Sequence, residues 1–166
     1  GFELIADGSV ALTVDFDLRK SLHAPPGQKS MIETCTQGYL LRPTLRLVQD
    51  SEVGAIAGTV HSSRVKPGCS VYVFPGDVAS TTPDDFDNKD VEPVVMAPVS
   101  EAGTYKAAFL TSGAYTVAYT CSTEDPTDPA EDDSDDDPPF VFDTDKQGAT
   151  VQPNLITTVN FGELMP

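Results

Sequence analysis

Carboxylate side chains crowd into the segment Glu124–Asp137, where nine of fourteen residues are acidic. Calcium takes about six to eight oxygen ligands, and clustered aspartates together with backbone carbonyls can supply them. The candidate metal ligands are Asp132, Asp133, Asp135, Asp136 and Asp137, with a second group at Asp84, Asp85 and Asp87. Neither group has the glycine and glutamate of an EF-hand loop. Two interpretations stay open, a calcium site or a solvated acidic loop that keeps the protein in solution.

Residue types that could perform catalysis are sparse and scattered. The two histidines, His23 and His61, lie in different parts of the chain, and neither has a cysteine or a second histidine beside it. The sequence contains no Gly-x-Ser-x-Gly elbow, no His-Glu-x-x-His motif and no phosphate-binding glycine motif. The absence of tryptophan also disfavours a glycoside hydrolase, because such enzymes usually bind sugars on aromatic platforms. We therefore predict that the chain is not an enzyme and has no catalytic residues.

The negative charge of the chain is concentrated at one end. The 166 residues include 26 acidic and 10 basic side chains, a net charge of −16. This balance disfavours nucleic acid and anionic lipid as partners, because both would be repelled. Residues 121–166 contain twelve acids and one base, so −11 of the net charge lies there. No apolar run approaches the roughly 18 residues of a membrane-spanning helix.

The apolar residues follow the period of two that is typical of β-strands. In the run Val10–Leu18 every second residue, starting from Val10, is apolar, and the opposite face carries Thr13, Asp15 and Asp17. A second run, Tyr39–Val48, alternates around Pro43, which predicts an edge strand or a bulge because proline lacks a ladder donor. Further strands are predicted at Gly54–Val60, Ser70–Phe74, Thr104–Leu110, Ala114–Tyr119, Phe140–Phe142 and Leu155–Phe161. Many short strands between turn signals predict an all-β sandwich or barrel.

A change in character near residues 48–54 divides the chain into two predicted parts. Residues 1–50 form an N-terminal β arm of two strands, and residues 51–166 form a self-contained sandwich with an acidic insertion at 122–139. Two strands alone are marginally stable in water. The arm must therefore pack on the sandwich, on another chain or on an upstream part of the protein.

The second part of the chain contains a series of short motifs that resembles a known family. The residues that carry this resemblance are Gly58-Thr-Val60, Cys69–Phe74, Gly103-Thr-Tyr105, Gly113–Tyr119 and Thr157–Phe161. In this order they are similar to the carboxypeptidase regulatory-like and collagen-adhesin B-type repeats. The resemblance implies a Greek-key prealbumin-like β-sandwich.

The three cysteines form no Cys-x-x-Cys pair. If the strands after Cys69 and before Cys121 are antiparallel neighbours, as the resemblance implies, the start of one lies beside the end of the other. A disulfide can then join these two cysteines. The alternative is that both are reduced and half-buried. Cys35 is left over and could pair with an upstream part or with a neighbouring chain.

The arm resembles a different family. Leu12–Leu22, Gly38–Pro43 and Leu47-Val48 are similar to the C-terminal end of an uncharacterised domain found in surface lipoproteins and secreted proteins of Gram-negative marine and soil bacteria. This resemblance implies export from the cell. It also implies that most of that domain lies upstream of Gly1, and it implies no activity.

These observations predict a non-enzymatic secreted or cell-surface structural and interaction module of a Gram-negative bacterium. We expect it to assemble through β-strand edges, with a second copy or with another surface protein. The alternative is a calcium-dependent module that binds carbohydrate or another small ligand. Calcium is the one candidate cofactor, and neither nucleic acid nor a membrane span is expected.

Overall fold

The computed structural model describes residues 9–17, 21–23, 40–83, 91–122, 141–143 and 145–162. A short 3-10 turn at Asp50–Glu52 lies among the strands. The strands are β1 (Leu12–Asp17), β2 (Leu22–His23), β3 (Leu40–Leu41), β4 (Thr44–Gln49), β5 (Val53–Thr59), β6 (Ser70–Pro75), β7 (Val95–Pro98), β8 (Thr104–Thr111), β9 (Gly113–Thr120), β10 (Gln147–Val151) and β11 (Ile156–Thr158). In these ranges no helix is long and apolar enough to cross a membrane.

Strands β5 to β11 form a sandwich of two sheets. The first sheet has the order β10-β9-β6-β7 and is antiparallel throughout. The second has the order β11-β5-β8, in which β11 runs parallel to β5 and β8 runs antiparallel to it. The pairs β5–β8 and β6–β9 each join strands that are three apart in the chain, which is a Greek-key type of connection. The predicted all-β sandwich is therefore confirmed.

The core lies between the sheets because alternate residues of each strand point inwards. Val71 and Val73 of β6 are fully buried and belong to the same apolar cluster as Val117 of β9. Tyr105 of β8 is buried as well, and its hydroxyl donates a 2.7 Å hydrogen bond to the backbone carbonyl of Val159. This bond ties an edge strand to the residues that follow β11.

Phe142 packs on the outer face of the four-stranded sheet. Tyr72 and Phe74 of β6 point to this face and are buried. The ring of Phe142 meets both rings edge-on, at centroid distances of 5.3 and 5.7 Å. The chain that follows the acidic segment therefore returns across this sheet.

The prediction of a strand at Phe140–Phe142 is wrong for residues 141 and 142, which the structure describes and which lie outside any strand. The N–H of Val141 donates to the hydroxyl of Ser122 at 3.1 Å. The N–H of Asp143 donates to the carbonyl of Tyr119 at 2.8 Å. Of the described apolar residues here, Phe142 covers the sheet, whereas Val141 is exposed.

Two strands of the sandwich lie where none was predicted. β7 follows Pro93 and ends at Pro98, and it pairs with β6 at the edge of its sheet. Proline is tolerated at such an edge because the missing N–H need not join a ladder. β10 contains Gly148, and its two buried apolar residues are Ala149 and Val151. It pairs with β9 along its whole length. Both strands depend on a neighbouring strand more than on alternation within their own sequence.

A two-stranded ribbon precedes the sandwich. β1 and β4 pair antiparallel over six residues each, with Val14 opposite Leu47, and β2 and β3 continue the pairing. Arg42 and Pro43 separate β3 from β4, so the run predicted as one strand at Tyr39–Val48 is divided at its proline. The 3-10 turn then leads into β5. The domain limits of 1–50 and 51–166, with the insertion at 122–139, stay predictions.

Candidate functional site

The predicted metal ligands lie outside the described residues. This applies to Asp132, Asp133, Asp135, Asp136 and Asp137 and to the second group, Asp84, Asp85 and Asp87. Among the residues that the structure describes, no group of three or more histidine, cysteine, aspartate or glutamate side chains could hold a metal ion. Calcium binding therefore stays a prediction from the sequence.

The histidine that can be placed takes part in a local turn. The Nδ1 atom of His61 lies 2.8 Å from the hydroxyl oxygen of Ser63, and it accepts a 3.3 Å hydrogen bond from the N–H of the same residue. Both side chains are exposed. These contacts are the ordinary ones of a turn, and they bring no carboxylate to the imidazole.

Cys69 and Cys121 form a disulfide. Cys69 immediately precedes β6 and Cys121 immediately follows β9, and these strands are antiparallel neighbours with Ser70 opposite Thr120. The pairing implied by the resemblance is therefore confirmed. Cys35 lies outside the described residues, so its partner is not assigned.

A buried arginine lies beside this disulfide. The guanidinium of Arg64 donates to Asp143 Oδ2 at 2.6 Å and to both carboxylate oxygens of Asp145, at 2.8 and 2.9 Å. It also donates to the carbonyl of Gly162 at 2.9 Å. Its central carbon lies 5.0 Å from the centre of the Tyr119 ring, close enough for a cation–π interaction.

These contacts set the protonation behaviour of the cluster. The hydrogen bonds from Arg64 lower the pKa of Asp145, and its positive charge acts in the same direction. The same bonds raise the pKa of Arg64 itself, so the guanidinium stays charged. Burial raises the pKa of Tyr119, whose hydroxyl donates to the carbonyl of Arg64 at 2.8 Å.

The arginine cluster has a structural role. Two carboxylates and one carbonyl accept two hydrogen bonds from each of the terminal nitrogens Nη1 and Nη2, so these nitrogens have no donor left for a ligand. Asp143 and Asp145 follow the acidic segment, and Arg64 lies in the loop between β5 and β6. The cluster therefore fastens the returning chain to the end of the sandwich that carries the disulfide. The sequence contains no signal for it, because the partners are 79 and 81 residues away.

The most unusual surface of the described chain lies on the ribbon. Its apolar side chains form one face, which we name the ribbon face, and its members are Leu12, Val14, Phe16, Leu45 and Leu47. These side chains are 37% to 61% exposed. The register places Val14 opposite Leu47 and Phe16 opposite Leu45, so the five residues share one side of the two strands.

The other side of the ribbon has a different character. Asp15 and Arg46 are direct cross-strand partners, and they form an ion pair with a distance of 2.7 Å. Val48 is buried on this side, opposite the half-buried Thr13. The two sides thus differ as the alternation predicts, but it is the apolar side that contacts solvent.

Exposed apolar side chains cluster on the ribbon rather than on the sandwich. Of the eleven large apolar residues that are exposed in the described ranges, seven belong to β1, β3 and β4. In the sandwich, the edge strands β7 and β8 lie close together, and so do β10 and β11. Between β11 and β10, the hydroxyl of Thr157 donates to the carbonyl of Thr150 at 2.6 Å. The ribbon face is therefore the candidate functional site.

Comparison with solved structures shows that the chain is distantly similar to a pilin. No family model matches the chain, and no curated protein matches it. Among solved structures, the chain is similar to the crystal structure of GBS52, the minor pilin of the Gram-positive pathogen Streptococcus agalactiae, at 13% sequence identity and a TM-score of 0.37. The similarity covers 78% of this chain and 58% of the pilin chain, so it spans less than two thirds of the pilin. The resemblance of the arm to a lipoprotein family has no support from these comparisons.

Proposed function

We propose that this chain is a non-enzymatic structural and interaction module of the bacterial cell surface, and that the ribbon is its docking element. The ribbon face is the observation that carries the proposal. Large exposed apolar patches on a soluble protein mark interaction sites, because each buried square ångström of apolar surface contributes about 25 cal/mol. A partner that covers this face would gain that contribution.

The small size of the ribbon supports the same conclusion. Two strands without further layers are marginally stable in water. Six residue pairs hold β1 to β4, and one face of the pair contacts solvent. A partner on this face would supply the second layer that a stable sheet requires. Docking would therefore stabilise the ribbon as well as join the two proteins.

The outer edges of the ribbon offer a second mode of contact. In the described sheets, β1 and β4 pair only with each other, so each has one outer edge that no described strand covers. Free N–H and C=O groups along such an edge can accept a strand from another chain. Assembly through strand edges, as expected from the sequence, is compatible with covering of the ribbon face.

The compartment follows from the disulfide and from the resemblance of the arm. Disulfides persist in oxidising environments such as the periplasm and the cell surface. The Cys69–Cys121 bond joins the two central strands of the larger sheet, so it belongs to the folded sandwich. We infer an extracellular or outer-surface location in a Gram-negative bacterium.

Retention at the cell surface tests this proposal. In the organism that encodes the chain, we would compare the unmodified protein with the double variant Val14→Asp/Leu47→Asp by antibody labelling of intact cells. The matched control is Leu155→Asp/Ile156→Asp, because these sandwich residues are 55% and 59% exposed. We expect the ribbon variant to appear folded in the medium and the control to stay on the cell. An intracellular location, or equal retention of both variants, would contradict the proposal.

The density of acidic residues favours a second candidate function, a calcium-dependent module that binds carbohydrate or another small ligand. Nine acids in the fourteen residues Glu124–Asp137 could supply the oxygen ligands. The experiment is a glycan-binding screen of the full chain with calcium and with a chelator. Saturable binding that needs calcium, together with unchanged surface retention of the ribbon variant, would favour this second function.

A further inference from the structure

We propose that the partner of the ribbon face is the ribbon face of a second copy of this chain, with the two ribbons stacked face to face. The inference rests on the proposed function and deepens it by naming the partner. Three observations on the ribbon lead to it, namely its exposed area, its local charge and the symmetry of its strands.

The exposed area of the ribbon face is large enough for a specific contact between two copies. Its five side chains are each 37% to 61% exposed. Stacking two such faces would remove on the order of 1,000 Å² of accessible surface, which reaches the lower limit of specific interfaces.

The described residues of the ribbon add no net charge to a contact between two copies. Its described residues, 9–17 and 40–49, carry Asp15, Asp17, Arg42 and Arg46, so their net charge is zero. The whole chain carries −16, of which −11 lies in residues 121–166. A basic partner would be attracted to that acidic end rather than to the neutral ribbon. A second copy offers a face that is equally apolar and equally neutral.

The strand arrangement allows a closed pair. β1 and β4 have equal lengths and run antiparallel, with Val14 and Leu47 near the middle. A two-fold axis in the plane between two such faces brings the same patch of each copy together, as in other symmetric dimers. Two ribbons about 10 Å apart would then form a small sandwich, the normal way in which sheets bury their apolar faces. The Asp15–Arg46 ion pair would stay on the outer side of each ribbon.

The oligomeric state of the full chain tests this inference. We would measure sedimentation equilibrium from about 1 to 200 μM, in a Cys35→Ser background that removes any intermolecular disulfide through this cysteine. We expect a reversible dimer. Val14→Asp/Leu47→Asp should weaken the dimer by about a hundredfold or more, because it places four carboxylates in one apolar contact. The control Leu155→Asp/Ile156→Asp should leave the dissociation constant unchanged.

Two further measurements test the folding of the ribbon variant and the salt dependence of the dimer. The thermal transition and the Cys69–Cys121 disulfide should be preserved in the ribbon variant, which shows that the sandwich is folded. Raising the salt concentration should tighten the dimer, because salt screens the repulsion between two chains of charge −16.

A chain that stays monomeric at the highest concentration would overturn the second-copy inference, and so would a dimer that the ribbon substitutions leave unchanged. Neither result removes the proposed function, which would fail separately if surface retention did not depend on the ribbon. A monomer whose ribbon variant is nevertheless lost from the cell surface would identify the partner as a different surface protein and would overturn self-docking.

Discussion

Arg64 holds Asp145 by two hydrogen bonds, with Nη1–Oδ2 and Nη2–Oδ1 distances of 2.8 and 2.9 Å. The two partners are buried to very different degrees, since the side chain of Arg64 is 5% exposed and that of Asp145 is 35% exposed. Asp143, the other carboxylate on the guanidinium, is 33% exposed. Loss of the arginine would therefore leave carboxylates that water can reach, whereas loss of the carboxylates would leave a buried charge.

This asymmetry predicts the order of two destabilising changes. We expect Asp143→Asn/Asp145→Asn to lower the free energy of unfolding by about 3–5 kcal/mol, because an uncompensated charge stays buried. We expect Arg64→Met to lower it by only about 2 kcal/mol, because the carboxylates become hydrated and the methionine still contacts the Tyr119 ring. Urea denaturation at pH 7 measures both values. The reverse order would contradict the role assigned to the cluster.

The same ion pair predicts a loss of stability in acid. Arg64 lowers the pKa of Asp145 from its ordinary value of 3.8, so the folded protein binds this proton less readily than the unfolded chain does. The stabilisation is therefore complete above about pH 4 and is lost as the pH falls through the lowered pKa. The difference in unfolding free energy between the unmodified protein and Arg64→Met should shrink from pH 5 to about pH 2. A constant difference would show that the shift contributes nothing.

The disulfide predicts a large dependence of stability on redox state. Its cysteines are 52 residues apart, and a loop of this length contributes roughly 4 kcal/mol in chain-entropy estimates. The variant Cys69→Ser/Cys121→Ser should unfold at a lower temperature by a margin that reductant does not increase. Cys35→Ser is the control and should keep the melting temperature. Equal melting temperatures with and without reductant for the unmodified protein would contradict the prediction.

Gly58 occupies a position that has no room for a side chain. It lies in β5, between β8 and the residues that follow β11. A Cβ atom there would lie 2.7 Å from the carbonyl carbon of Val159 and would overlap its oxygen. Because that neighbour is backbone, Gly58→Ala should cost about 3 kcal/mol or more, or prevent folding. Gly162→Ala is the control, since nothing lies within 4 Å of its Cβ position, and its thermal transition should not change.

Calorimetric titration separates the two interpretations of the acidic residues. A calcium site predicts saturable binding heat at moderate salt and a higher melting temperature with calcium. Both effects should disappear when Asp132, Asp133, Asp135, Asp136 and Asp137 are all changed to asparagine. The matched control changes Asp84, Asp85 and Asp87 instead, and it assigns the ion to one group. A solvated loop predicts neither heat nor a melting shift.

The strands that could be predicted from the sequence are those whose own side chains alternate. β1, β4, β6 and β9 each carry an apolar residue at every second position or are apolar throughout, and the structure places a strand in each run. The disulfide could be predicted through the resemblance, because it needed only the relative direction of the strands beside Cys69 and Cys121. In β6 and β9 these apolar residues face the core, whereas in β1 and β4 the same pattern produces the exposed ribbon face.

β7, β10 and the position of Phe142 could not be predicted, because their conformation depends on a neighbour. β7 carries a proline that argues against a strand, but the edge of β6 accepts it. Gly148 weakens the pattern of β10, while β9 supplies the ladder. Phe142 has the residue type of a strand, but its ring lies across Tyr72 and Phe74.

The sequence by itself determined the all-β class, the division of charge and the presence of an apolar face along the N-terminal strands. Only the tertiary structure decided that the apolar face, with Val14 opposite Leu47, contacts solvent while Val48 on the other side is buried. It also brought Arg64 to two carboxylates 79 and 81 residues away. The physical reason is the same in both cases. Alternation sorts side chains to the two faces of a strand, but which face is covered depends on what the rest of the chain packs against it.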